Sequence, residues 1–158
     1  MLQFVPTPTS DPLARELLTE YFTSRQLGFL SRPEGYRVVI PDAAAFTPPA
    51  GVFFVVTGTS PGDDEAAALG CGGIRLLDAD RAEVKHLWIR ETARGQGAGR
   101  ALLLALEQAA RDLGATTAVL DTNESLEAAQ QLYRTSGYVD TAPYNDNPNA
   151  THWFRKPL

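Results

Sequence analysis

The sequence is poor in the residues that build disulfides and metal centres. Its 158 residues include one cysteine, Cys71, and two histidines. A single cysteine excludes an internal disulfide and a metal site built from several thiolates, and we expect Cys71 to be a small buried apolar residue. No His, Cys, Asp and Glu residues have the spacing of a metal site, so the sequence predicts chemistry without a metal.

Long apolar runs and an excess of basic charge are also missing. No charge-free stretch approaches the roughly 18 residues that a membrane-spanning helix needs, and the first residues lack the basic and apolar segments of a signal peptide. The net charge of -5 argues against nucleic acids and anionic membranes as partners. We therefore expect a cytoplasmic protein, and its acidity suits an amine substrate.

What the sequence does contain is the make-up of one globular domain, 1–158, with 44% apolar residues and no repeat or linker. Hydrophobic spacing predicts strands near 2–5, 52–57, 69–77, 82–90, 116–121, 138–141 and 151–156, and helices from Pro12, from residue 101 and over 126–135. The second helix is expected to expose Glu107 and Arg111 as an ion pair. This order indicates an α+β or mixed α/β fold with parallel strands around Trp88 and Leu120.

Three glycines at alternate positions, Gly95, Gly97 and Gly99, stand directly before the second helix. Glycine is costly there unless the backbone must approach something closely. A glycine turn between strand and helix presents unpaired N–H groups at the positive end of the helix dipole, which is an arrangement that binds phosphate. The turn fits neither the dinucleotide-binding nor the P-loop pattern; without a ligand it would be only a tight turn.

The pattern that does fit is R-x-x-G-x-G over residues 94–99, and here the chain resembles the GNAT superfamily of acyl-CoA N-acyltransferases. The stretch EVKHLWIRETARGQGAG is similar to that family's fourth strand and coenzyme A loop. AAQQLYRTSGY, residues 128–138, is similar to its later helix with a tyrosine. The resemblance implies a central mixed sheet of about six or seven strands with about four helices, and homodimers are common in the family.

The resemblance also implies where acetyl-CoA binds. The glycine loop would hold the pyrophosphate, and the pantetheine arm would pair with the fourth strand in a gap beside the fifth. Asn123 would replace an asparagine that many members carry where Leu126 stands. The predicted binding residues are Leu87, Trp88, Ile89, Arg94, Gly95, Gln96, Gly97, Ala98, Gly99, Arg100 and Asn123.

Two side chains are the candidates for proton transfer. Direct attack of an amine on a thioester needs a base for the ammonium and an acid for the departing thiolate. The resemblance indicates Glu83 as the base and Tyr133 as the acid. The plain alternatives are a strand-edge carboxylate paired with Lys85 and a core tyrosine.

Strand alternation indicates which neighbours point the same way as Glu83. Period-two spacing places it with Leu87 and Ile89, toward the cleft. His86 then falls on the opposite face, where a structural role is expected.

The function implied is transfer of an acetyl group from acetyl-CoA to a primary amine of a small molecule. A binding module without turnover and a protein or peptide N-acetyltransferase are the alternatives. Residues 31–50 and the loop PYNDNPNA, 143–150, are expected to shape the acceptor pocket. Four further aromatic residues could line it but are more typical of a core or a dimer contact: Tyr144, His152, Trp153 and Phe154.

Overall fold

Seven strands form one mixed sheet in the order β1-β2-β3-β4-β5-β7-β6, in a computed structural model that describes residues 1–28, 35–59 and 62–158. The elements are β1 (Gln3–Pro6), α1 (Pro12–Gly28), β2 (Gly51–Gly58), β3 (Ala67–Leu76), β4 (Arg81–Ile89), α2 (Ala98–Asp112), β5 (Thr117–Thr122), α3 (Glu127–Thr135), β6 (Val139–Asp140) and β7 (His152–Pro157). The predicted mixed sheet is confirmed, with three α-helices in the described ranges rather than about four. None of these helices is both long and apolar enough to cross a bilayer.

The sheet is antiparallel except at its centre, where β4 and β5 run parallel. Their ladder covers three residue pairs, the last of which joins Glu83 to Val119. Beyond that pair β4 stays with β3, and β5 stays with β7. The predicted parallel pair of these two strands is confirmed, but it lies at residues 81–83 of β4 and not at Trp88, because the strands separate before they reach that residue.

Each face of the sheet carries its own apolar core. Successive glycines of β3 point to opposite faces: a Cβ on Gly72 would meet Leu102 and Leu106 of α2, and one on Gly73 would meet Phe46. The α2 core also holds β-strand residues and α3, whereas the other core packs α1 against the sheet. The sheet therefore separates an α2 side from an α1 side.

A bulge interrupts the middle of β4. Against β3, Cys71 pairs with Trp88 and Gly73 pairs with Lys85, so β4 has one residue more than β3 between these pairs. His86, inside the bulge, has a φ of +57°. A positive φ is uncommon for any residue with a side chain, so the fold holds this backbone in place.

The bulge reverses the alternation of side chains along β4. Leu87 and Ile89 pack into the α2 core together with Val84, while His86 contacts aromatic rings on the α1 side. Glu83, the neighbour of Val84, also points to the α1 side. The prediction that Glu83 shares a face with Leu87 and Ile89, and that His86 lies opposite, is wrong because a bulge cannot be read from period-two spacing.

A buried ion pair fixes α2 to the last strand. Glu107 is fully buried, accepts hydrogen bonds from Nζ of Lys156 at 2.8 and 3.0 Å, and accepts another from the hydroxyl of Tyr138 at 3.1 Å. The predicted exposed pair of Glu107 with Arg111 is therefore wrong. Glu107 faces the core because its partners lie on β7 and directly before β6.

Removing the cation from this pair should destabilise the fold. In Lys156→Met the carboxylate of Glu107 stays buried without its counter-charge, so we expect the free energy of unfolding to fall by about 3 kcal/mol or more. Denaturant titration measures the change. Arg155→Met, at an exposed position of the same strand, is the matched control and should change stability by less than about 0.5 kcal/mol; equal losses in both variants would contradict a stabilising role for the pair.

Candidate active site

A cavity of about 410 Å³ opens on the α1 side where β4 and β5 separate. Its floor is the bulge of β4, and its walls come from α1, the end of β5, α3 and the two loops that were expected to shape an acceptor pocket. Of the first of those loops, residues 31–34 lie outside the described ranges. The lining side chains with reactive or charged groups include Arg25, Arg37, Arg75, Lys85, His86, Asp121, Asn123 and Tyr133.

One edge of β4 is open beside this cavity. Beyond Glu83 no described strand pairs with the β5-facing edge of β4, which includes Leu87, Trp88 and Ile89. An extended chain can bind such an edge as an added strand, because backbone N–H and C=O groups there lack ladder partners. The gap beside the fourth strand that the resemblance implied is therefore present, and the three predicted residues lie along it.

The glycine turn leads from this edge into α2. Gly95 and Gly97 have φ values of +75° and +80°, and a Cβ on either would meet no atom within 4 Å. Glycine is therefore needed for the backbone angle, and open space lies in front of the turn. The first N–H groups of α2, at Ala98, Gly99 and Arg100, have no acceptor within the helix, so they can bind an anion.

The side chains around the turn brace it. The guanidinium of Arg94 lies 4.7 Å from the ring centre of Trp88, and Arg100 donates to the backbone oxygen and hydroxyl of Thr135. Gln96 donates to a carbonyl four residues earlier. The two arginines add positive charge beside the helix N-terminus, while the backbone supplies the hydrogen-bond donors.

Tyr133 brings a hydroxyl to the cavity from α3. Its ring packs 5.9 Å from that of Tyr138 and 6.2 Å from that of Phe154, and only 7% of the residue is exposed. No hydrogen bond to the hydroxyl is found within the described ranges. Burial raises the pKa of Tyr133, so the hydroxyl keeps its proton and can donate it.

Glu83 lies behind the lining, with 1% of the residue exposed. Its carboxylate accepts hydrogen bonds from Arg75 at 2.9 Å and Tyr144 at 2.7 Å, and it lies 3.6 Å from Lys85. The Tyr144 hydroxyl stays a donor, because burial and the charge of Glu83 raise its pKa. The sequence predicted Glu83 either as the base or as a carboxylate paired with Lys85. The structure adds Arg75 as the closer cation.

Sequence reasoning missed two cavity residues. His86 was assigned to the wrong face; burial and nearby Lys85 and Arg75 lower its pKa to about 3, and its Nδ1 is buried without a partner. Asp121 is the second-last residue of β5 and accepts hydrogen bonds from Asn145 at 2.7 Å and Lys85 at 3.4 Å. The available signal for Asp121 was a carboxylate at the end of an apolar strand beside the predicted gap.

Asn123 also reaches the cavity, but its amide is engaged. It donates to the backbone oxygen of Asn149 at 2.9 Å and accepts from the backbone of Ser125 at 2.9 Å. Its contact with a pantetheine arm stays a prediction.

The four aromatic candidates lie outside the lining. Phe154 is completely buried with the ring of His152 stacked on it, and Trp153 donates to Asn145 at 2.9 Å. Tyr144 is bound to Glu83. Within the described residues, no group of three metal-ligating side chains converges here or elsewhere.

Two proteins with related sequences match part of this chain. An uncharacterized N-acetyltransferase of Schizosaccharomyces pombe is 33% identical over 104 residues, which are 65% of this chain and 61% of that protein. A protein of Azospirillum brasilense named IAA acetyltransferase is 35% identical over 93 residues, 57% of this chain and 61% of its own. The chain thus matches about three fifths of the length of these two relatives.

Solved structures share the fold over its full length. A Klebsiella pneumoniae protein described as an acyl-CoA N-acyltransferase superposes with a TM-score of 0.77 and 26% identity, covering 100% of this chain and 98% of that one. An acetyltransferase of Elizabethkingia anophelis, solved with acetyl-CoA bound, gives 0.67 at 17% identity over 99% and 98% of the chains, a likeness of fold. The model of the acetyltransferase (GNAT) family matches residues 13–138, and the chain belongs to that family.

Proposed function

We propose that this protein transfers the acetyl group of acetyl-CoA to a primary amine of a small molecule by direct attack of the amine on the thioester. The observation that carries the proposal is the open edge of β4, which joins the N-terminus of α2 to the cavity beside Tyr133. Family membership and the acetyl-CoA-bound structural neighbour support the co-substrate. A relative named IAA acetyltransferase supports a small acceptor.

The residues present fit acetyl-CoA at both ends of this edge. The N–H groups at the start of α2 would hold the pyrophosphate, and backbone groups at 87–89 would pair with the pantetheine arm. The bound molecule supplies the thioester. A cavity of about 410 Å³ suits a small acceptor, since pockets of that size bury most of a small ligand.

The proton balance of the reaction assigns one role to Tyr133. The amine nitrogen forms a bond to the thioester carbon, the carbon–sulfur bond breaks, and the electron pair stays on sulfur. The hydroxyl of Tyr133 gives its proton to that sulfur. The former amine nitrogen loses one proton as the amide forms, and this proton restores the hydroxyl of Tyr133. Because burial raises its pKa, the hydroxyl holds this proton ready throughout the physiological range.

Glu83 is our proposal for the base that takes the ammonium proton. Its carboxylate pairs with Arg75 and lies close to Lys85, both of which line the cavity. A second role is open to it: the same contacts hold these two cations in place along the wall. The pH dependence of a neutral variant separates the two roles.

The binding prediction concerns Gly97. Valine at a φ of +80° strains the turn by about 1–2 kcal/mol and puts its branches in the space before the α2 N–H groups. We expect a loss of acetyl-CoA affinity of roughly tenfold or more, about 1.4 kcal/mol, in isothermal titration calorimetry of the folded variant. Gly114→Val is the control, because Gly114 has a φ of +95° beyond the other end of α2; it should lose stability but bind normally. Unchanged affinity in folded Gly97→Val would remove the proposed pyrophosphate site.

The acid prediction concerns the hydroxyl of Tyr133. Tyr133→Phe keeps the ring packing and removes the proton donor, so kcat should fall by about 10²–10⁴-fold while acetyl-CoA affinity stays the same. Steady-state kinetics at saturating acceptor and calorimetry measure the two quantities. Tyr138→Phe is the control: it removes the hydroxyl bound to buried Glu107 and should lower stability without lowering kcat. Parent-like turnover of Tyr133→Phe would leave solvent as the acid.

The base prediction concerns the pH profile of Glu83→Gln. If the carboxylate removes the ammonium proton, the variant's deficit in kcat/KM should shrink as pH rises toward the pKa of the acceptor, because more acceptor is already neutral. Rates are measured from about pH 6 to 10. A deficit that stays constant across this range would show that Glu83 positions Arg75 and Lys85 and does not act as the base.

A further inference from the structure

The side chains that line the cavity carry a net positive charge, although the chain as a whole is negative. The whole chain has a net charge of -5, yet basic side chains outnumber acidic ones in the lining. The charged lining residues are Arg25, Arg37, Arg75 and Lys85 on the positive side and Asp42 and Asp121 on the negative side. A local excess of positive charge in an acidic protein favours an anionic ligand group.

Two of the cations in the lining, Arg75 and Lys85, already have anionic partners within the protein. Arg75 lies 2.8 Å from the carboxylate of Glu83, and Lys85 lies 3.4 Å from Asp121 and 3.6 Å from Glu83. These contacts satisfy the inner charges within the protein. The lining charges that remain are Arg25, Arg37 and Asp42, which leave one positive charge in excess. This excess therefore comes from the two arginines.

Arg25 is a half-buried residue that lines the cavity. It lies 4.9 Å from the ring centre of Tyr21, whose ring lies 5.4 Å from that of His86 at the bulge. A chain of contacts thus runs from His86 through the edge-to-face ring of Tyr21 to the cation. Throughout the described residues, Arg25 takes part in no ion pair, so its planar donors can bind an anion.

Arg37 is placed by its backbone. Its N–H donates to the side-chain oxygen of Asn149 at 2.9 Å, and its carbonyl accepts from the side-chain nitrogen of Asn149 at 2.8 Å. This reciprocal clamp joins two cavity walls and fixes the main chain of Arg37. Its guanidinium forms no ion pair with any carboxylate that the structure describes.

We infer that the acceptor amine carries a negatively charged group, a carboxylate or a phosphate, that binds Arg25 and Arg37. The inference rests on the proposed function. The acceptor's anion lies at these two arginines. Its amine lies toward Tyr133 and the carboxylates of Asp121 and Glu83, so that Glu83 can still act as the proposed base. Arginine suits this task because its fork of N–H donors matches two oxygens of one carboxylate or phosphate.

Another reason for a cation at position 25 exists and has to be separated by experiment. Arg25 stands in the last turn of α1, where positive charge is favoured by the helix dipole. A cation in that role stabilises the fold and does not change the preference among acceptors. A recognition role changes the preference between charged and neutral acceptors.

The test is a panel of amines in matched pairs, each anionic amine with a neutral counterpart. We use 3-aminopropanoate, 4-aminobutyrate and 6-aminohexanoate with their amides, phenylalanine with phenylalaninamide, and phosphoethanolamine with ethanolamine, and compare kcat/KM per neutral amine. The anionic member should be preferred about tenfold or more (about 1.4 kcal/mol).

Arg25→Gln and Arg37→Gln should lower kcat/KM for anionic acceptors by a similar factor. They should leave kcat/KM for neutral acceptors and the KM for acetyl-CoA within about twofold of the parent values. The carboxylate and phosphate arms show which anion is bound.

Arg15→Gln is the matched control, because Arg15 is an exposed arginine of the same helix outside the cavity. It should leave the preference unchanged. Equal turnover of acids and amides, or equal losses on both in Arg25→Gln, would overturn the inference and leave the proposed function standing. Failure to acetylate any member of the panel would overturn the proposed small-amine function instead.

Discussion

The separation of β4 from β5 is the constraint on which the rest of the site depends. Parallel pairing ends at Glu83, and each strand keeps its outer neighbour, so the sheet stays continuous while its centre opens. That opening leaves backbone groups of β4 without ladder partners. In water this would weaken a sheet; here it creates an edge that a ligand chain can complete. The glycine turn, the cavity and Tyr133 all lie along this edge.

Much of the fold and part of the site could be predicted from the sequence. Local patterns fix the turn before α2, because Gly95 and Gly97 need backbone angles that other residues avoid, and they fix the strand and helix order. The position of Tyr133 follows from its helix and its family resemblance. These features depend on neighbours in the chain, which a sequence pattern reports directly.

The errors came from features that depend on distant residues. Period-two spacing misplaced His86, because the extra residue of the β4 bulge is defined only against β3. Helical spacing placed Glu107 in water, because nothing near it reveals that Lys156 lies against it in the fold. Asp121 gained its importance only when the strands around it separated. In each case a long-range contact overrode a correct local rule.

The clamp between Arg37 and Asn149 has a consequence for how the proposed acceptor site forms. It joins residues 112 positions apart, so the outer wall of the cavity closes only after the final strands have entered the sheet. The glycine turn and α2, by contrast, are local structure, and contacts close in sequence form before distant ones. The proposed co-substrate site therefore depends on local contacts, and the proposed acceptor site depends on long-range ones. A fluctuation that opens these two hydrogen bonds disturbs the proposed acceptor site and leaves the glycine turn and α2 in place.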